Sequence, residues 1–136
     1  MRRTALIVAL MAVAAPRAAA AAAAPIRLEL NAATPAQGQC RLSFVIENRA
    51  DAALDSLKLD LVLFGRDGVI AHRLMAEMGP LRAAKTVVKA FAIGSACDDL
   101  GAVLINDVAA CAPAAADACL DRLALSSRVA GVTLYK

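Results

Sequence analysis

The chain has 136 residues, 60% hydrophobic and 20% charged, with a formal net charge of +3. Phe44, Phe64, Phe91 and Tyr135 are its only aromatic residues, so the core must be Leu, Val and Ile, and few rings remain for a carbohydrate-binding face. The charge does not describe a partner either. Fifteen basic residues stand against twelve acidic ones, and Arg2, Arg3 and Arg17 lie in the first 24 positions, leaving twelve of each sign beyond them. That remainder shows neither the basic stripe of a nucleic-acid binder nor the clustered Lys and Arg that hold a protein to anionic lipid.

The opening, MRRTALIVALMAVAAPRAAAAAAAP, has the order of a secretory signal peptide. A basic start precedes eleven unbroken apolar residues, Ala5 to Ala15, and small residues follow. A membrane-spanning helix needs about 20 apolar residues, and Pro16 and Arg17 interrupt the run before that. Residues 1–24 are therefore expected to be cleaved, at one of several Ala-x-Ala triplets between Ala18 and Ala24. The Arg pair also fits the twin-arginine route, but Thr4-Ala5-Leu6 adds little of that signal, which favours general secretion. No cysteine follows the apolar run to carry a lipid. The mature chain, residues 25–136, is then expected in the periplasm or outside the cell, as one domain without a membrane span.

From Pro25 onward the hydrophobic period becomes two, the mark of strands buried on one face. IRLEL opens the series. In CRLSFVIEN, Cys40, Leu42, Phe44 and Ile46 share a face, with Val45 the exception on the other. SLKLDLVLF points Leu57, Leu59, Leu61 and Leu63 inward and Lys58 and Asp60 outward. Gly65 to Gly68, GRDG, supplies a hairpin turn, and VIAHRLMAEM is its return strand. KTVVKAFAI follows the GPLRAAK break, and Lys89 within it predicts a bulge or an edge position. GAVLINDV is apolar on both faces over Ala102 to Ile105, as in a central strand, and RVAGVTLYK closes the chain. Seven short strands with turns between them predict an all-β, seven-stranded immunoglobulin-like β-sandwich. One short helix, Ala114 to Leu125, is expected before the last strand, capped by Asp117 and with Leu120 and Leu123 on one face.

LVLFGRDGVIAHRL, the Gly-Pro turn and KTVVKAFAI together resemble the core of small extracytoplasmic immunoglobulin-like modules, including the FxLYD-like group. Cys40, Cys97, LINDV, Cys111 and Cys119 are similar to a set of uncharacterised secreted alphaproteobacterial proteins of the kind labelled "Tat pathway signal sequence domain protein". The resemblance covers most of residues 25–136. It implies a fold and an exported location, and carries no activity.

Four cysteines behind an export signal imply a disulfide framework. Of three pairings, Cys40–Cys97 with Cys111–Cys119 is favoured, because the second and fifth strands of such a sandwich are antiparallel neighbours. A Cys97–Cys111 bridge across the sixth strand is the alternative. Zinc sites favour spacings such as C-x₂₋₄-C, whereas the separations here are 57, 14 and 8, and the lone His72 lies far from all four. Thioredoxin-like C-x-x-C and haem-binding C-x-x-C-H are absent as well. His72 reads as a solvated strand residue. Ser95, Ser126 and Ser127 have no G-x-S-x-G elbow, and Asp98 and Asp99 read as turn or cap residues rather than calcium ligands. Asn106 and Asp107 end the most apolar strand. One of them is expected to point inward and bond backbone near the Cys111 loop.

These readings assign no catalytic, metal or cofactor residues and no cofactor. The expectation is a monomeric, non-catalytic periplasmic interaction or scaffold module that acts on a protein partner through its loops or a strand edge. The alternatives are an accessory subunit of an envelope complex, and an enzyme or metal carrier with an unrecognised site. Intact mass of the exported protein, with and without reduction, checks the processing and the cysteines together. Loss of the leader and four added hydrogens on reduction are expected; four thiols alkylated without reduction would end the disulfide reading.

Overall fold

The computed structural model describes residues 25–136, so the expected signal segment lies outside the described residues. Eight strands form two four-stranded sheets: β1 (Ile26–Ala36), β2 (Gln39–Asn48), β3 (Ser56–Gly65), β4 (Ile70–Glu77), β5 (Thr86–Ile93), β6 (Leu100–Ala112), β7 (Leu123–Ser127) and β8 (Thr133–Tyr135). The sheet orders are β5-β2-β1-β7 and β4-β3-β6-β8. A 3₁₀ turn (Cys97–Asp99) precedes β6, and a helix, α1 (Ala116–Arg122), precedes β7. Antiparallel β2–β5 in one sheet and β3–β6 in the other are pairings expected of an immunoglobulin-type sandwich, with β5 at the edge of its sheet and β3–β6 central.

The count is eight strands rather than seven, and the difference lies in the last segment. The expected helix stops at Arg122, and Leu123 to Ser127 become a strand parallel to β1. α1 therefore stands before the penultimate strand, and β8 runs parallel to β6. Leu123-Ala124-Leu125 suits either structure locally; burial of Leu123 in the core beside Ile26 decides it. Asp117 does not cap the helix. Ala115 occupies the N-cap without a side-chain bond, and Asp117 Oδ1 accepts from its neighbour Ala118 N at 2.8 Å. A seven-residue helix without a side-chain cap would be marginal alone. Its other end is held by Lys136, whose Nζ donates to the carbonyls of Leu120 (2.6 Å) and Leu123 (2.9 Å).

The alternating residues meet as the pattern requires. Leu28, Leu30, Leu42, Phe44 and Ile46 of one sheet pack with Leu57, Leu59, Leu61, Leu63, Val103 and Ile105 of the other, all buried. Phe91 adds its ring edge-on to Phe44, with centroids 6.2 Å apart. Lys89 registers with Phe44 on this inner face and is half-buried, on the edge strand β5, whose ladder with β2 is unbroken. An inward charge on an edge strand opposes further strand addition. β1 runs six residues past IRLEL, into the region that β7 does not cover. Pro35, without an N–H, sits where β1 has β2 on one side only. The β1–β2 connection is a two-residue turn with positive φ at both Gln37 (51°) and Gly38 (77°).

β6 has 13 residues against the 10 of β3. Three register shifts take up the excess, leaving Gly101, Asn106 and Ala109 without a direct partner on β3. Gly101 can only be glycine: a Cβ there would lie 2.7 Å from the Gly65 carbonyl oxygen. The shift at Asn106 leaves Asn106 and Asp107 both exposed, so the expected inward polar residue is not found. Asp107 Oδ1 accepts from Val108 N at 2.7 Å, beside its own backbone.

The inward polar residue is Asn48, fully buried at the opposite end of the sandwich from the β1–β2 turn. Its Nδ2 donates to Ala52 O (2.9 Å) and Arg82 O (3.2 Å), with Leu81 O at 3.4 Å, and its Oδ1 accepts from Ala50 N (3.1 Å). One side chain thus ties the β2–β3 loop to the β4–β5 loop. Asn48→Ala leaves those backbone groups unpartnered in the interior and is expected to cost about 2–4 kcal/mol. Asn48→Asp, which removes the donor, should do no better, as read by urea unfolding.

Candidate functional site

The four cysteines pair as Cys40–Cys97, with Cα atoms 4.8 Å apart, and Cys111–Cys119, at 6.4 Å. The first arises because β2 and β5 are neighbours: Cys40 registers with Ile93, and the chain leaving β5 brings Cys97 back over the start of β2. The second closes the crossover from β6 into α1, with both residues buried. Two bridges suit an oxidising compartment. Among the described residues no helix is long and apolar enough to cross a membrane, and no group of three His, Cys, Asp or Glu residues converges as a metal site.

The remaining polar residues singled out in the sequence do not come together as a group. His72 is half-buried on β4, its Cε1 3.6 Å from where a Cβ on Gly94 would stand. Asp98 and Asp99 are exposed in the 3₁₀ turn and act through backbone: Arg66 N donates to Asp99 O (3.0 Å) and Arg66 Nε to Asp98 O. Ser126 is exposed on the outer face of β7, and Ser127 Oγ accepts from Val129 N at 3.2 Å.

One end of the sandwich gathers the β1–β2 turn, the β3–β4 turn, the 3₁₀ turn and the β7–β8 connection. Two open depressions flank the 3₁₀ turn there. The larger, about 460 Å³, is lined by Arg66, Asp67, Val69, Ile70, Ser95 and Asp99. The smaller, about 280 Å³, lies among Pro35, Gln37, Gln39, Cys97 and Asp98. Cys40–Cys97 pins the wall between them to β2, and Arg66 ties that wall to the β3–β4 turn. The floor of this end is covalently fixed, and its rim carries exposed groups of both charges.

The carboxylates that are held away from their ordinary behaviour lie elsewhere. Asp60, only 4% exposed at its side chain, receives a two-pronged bond from Arg73: Nε to Oδ1 at 2.8 Å and Nη2 to Oδ2 at 2.6 Å. Asn106 Nδ2 donates to the same Oδ2 at 2.7 Å. Arg73 holds the Asp60 carboxyl below its usual range against the opposing effect of burial, with Asn106 assisting; Asp60 raises Arg73 in turn. Glu77 is also lowered: burial opposes ionisation, but N–H groups of Leu57 (3.0 Å) and Gly79 (2.9 Å) and the Ser56 hydroxyl (3.0 Å) outweigh it. Glu29 is lowered by Asn31 and, against the effect of burial, by Arg128, on the outer face of the first sheet. The sequence hides the Asp60 cluster. Asp60 points outward as alternation requires, and only the register of β3 with β4 and β6 shows that Arg73 and Asn106 cover it.

The chain matches no protein-family model, no curated protein and no solved structure.

A carboxyl lowered in the folded state stabilises above its unfolded value, and that contribution is lost as pH falls through the folded one. The ordinary values are 3.8 for Asp60 and 4.5 for Glu77. The urea midpoint is therefore expected to hold from neutral pH down to about 5 and then fall on further acidification. Asp60→Asn should start lower at neutral pH and fall less steeply. A parent midpoint that rises below pH 4.5 would contradict this assignment.

Proposed function

We propose that the protein is a non-catalytic interaction or scaffold module of the periplasm, and that the loop end around Cys40–Cys97 is its recognition surface. The observation that carries this reading is the bracing of that end by a disulfide and the Arg66 hydrogen bonds. Loops that bind partners are usually held on a fixed scaffold. Here the bridge and the Arg66 bonds to the 3₁₀ turn hold both depressions open between strands. The mixed rim of Arg66, Asp67, Gln37 and Asp98 offers hydrogen bonds and charge to a protein surface. Against an enzyme stands the placement of the perturbed groups. Asp60, Glu77, Glu29 and Arg73 each have a partner that serves the fold, and none lines either depression. Residues 25–136 carry no net charge, which suits specific contacts better than bulk attraction.

A photo-crosslinking residue introduced at Asp67 or Gln37 is expected to capture one partner in stoichiometric yield in the intact cell. The same residue at Val45, on the outer face of the first sheet, should capture none. Equal capture from all three sites, or none from any, would overturn the assignment of the loop end. Retention of the parent's urea midpoint by each variant guards against unfolding as the cause.

A further inference from the structure

We infer that two copies of this chain associate through β4, antiparallel about a two-fold axis at Met75, joining their second sheets into one continuous eight-stranded sheet. A sandwich has four edge strands, and three of these are guarded. β5 turns the charge of Lys89 inward opposite Phe44. β7 has five residues ending in Ser126 and Ser127, and β8 has three. Short edges and inward charges resist strand addition. β4 has eight residues with His72, Leu74 and Ala76 on its inner positions, and it exposes Ile70 by 62% and Met75 by 58%. Of the two eight-residue edge strands, it is the one without an inward-facing Lys or Arg.

The backbone phase of β4 is set by β3. Met78 N donates to Leu57 O at 2.8 Å, and the register continues as Ala76 with Leu59 and Leu74 with Leu61. N–H and C=O groups alternate sides along an antiparallel strand. Those of Leu74, Ala76 and Met78 therefore face β3, and those of Arg73, Met75 and Glu77 face the open side. A partner strand must present its own outward-facing residues to these three. A two-fold at Met75 does so: Met75 meets Met75, and Arg73 meets Glu77 twice. A two-fold at Arg73 or at Glu77 would instead set like charges face to face, which disfavours a strand pair. One at Leu74 or Ala76 would keep the bonding phase but set Met75 against Arg73 or Glu77, leaving the charges without opposite partners. The segment RLMAE is thus self-complementary in charge and in hydrogen-bonding phase, and this complementarity selects a second copy over another extended peptide. Arg73 keeps its bond to Asp60 and still leaves 62% of its side chain exposed. Its five N–H donors exceed those that Asp60 uses. This inference replaces the sequence expectation of a monomer and does not depend on the loop end.

Sedimentation velocity of the purified protein over a range of concentrations tests it. The mass is expected to double with a dissociation constant on the order of tens of micromolar, as for a small interface. Met75→Lys places two ammonium groups at the axis and should weaken association at least roughly tenfold, with the parent's thermal midpoint retained. Met75→Cys should form a disulfide-linked dimer on mild oxidation, because facing Cα atoms about 5.5 Å apart suit a bridge. Val88→Cys, at a position 65% exposed on the guarded β5, should remain unlinked. The loop-end variants should leave the equilibrium unchanged. A parent that stays monomeric at 0.5 mM (roughly the upper end of the range in which weak contacts form) would overturn the inference. So would a dimer that Met75→Lys does not weaken, cross-linking of Val88→Cys as fast as Met75→Cys, or a different protein found paired along β4.

Discussion

The pairing of β6 with β3 is the constraint on which the rest of the structure depends. Thirteen residues run against ten, and both strands are central in their sheet, so the surplus cannot spill over an edge. It is taken up as three local kinks at Gly101, Asn106 and Ala109. The first lets Gly101 pass against the Gly65 carbonyl and sets the 3₁₀ turn beside Arg66, so that the two depressions have a common wall. The second turns Asn106 and Asp107 outward together and brings the Asn106 amide onto Asp60. The third restores the phase that buries Cys111 where the crossover to α1 begins. An even ladder would place each of these side chains on the opposite face, since a one-residue slip inverts a strand.

The outer faces of the two sheets differ in kind. The first carries a lattice of charge, with Arg128 on Glu29 (2.9 Å) and Arg49 on Glu47 (2.9 Å). Such surface pairs add little stability. The second presents Val62, Phe64, Ala102 and Leu104, buried or half-buried, around the ion pair of Asp60 and Arg73. A buried carboxylate on an outer face is stable only because its oxygens are bonded by Arg73 and Asn106. The more apolar sheet is also the one whose edge strand is open.

A chain of this size with a core of aliphatic side chains and few rings has modest burial to draw on, and covalent closure adds to it. The loop-entropy account assigns about 4 kcal/mol to a bridge spanning 57 residues and about 2.5 to one spanning 8. The two bridges also act locally on different features. Cys40–Cys97 fixes the loop end. Cys111–Cys119 and Lys136 together hold a helix of seven residues that sequence alone would not sustain, and that helix aims β7 at β1.

What the sequence by itself determined was the presence of the first six strands, the period-two burial of the second and third, the turn at Gly65 to Gly68, and the favoured pairing of the cysteines. These rest on contacts within a strand or between neighbouring strands, where side-chain alternation and turn residues are sufficient. The fate of Leu123 to Ser127 was settled only in the tertiary structure, because a five-residue apolar segment satisfies helix and strand alike until Ile26 and Leu28 are in place beside it. The burial of Asn48 depends on Leu81 and Arg82, 33 and 34 residues away in the β4–β5 loop. The outward turn of Asn106 depends on the length mismatch between β3 and β6, which no single segment displays. Asp60 was legible as outward and illegible as buried, since its cover comes from the strands on either side. In each case the deciding contact is long-range, and its energy belongs to the assembled sheets rather than to any stretch of the chain.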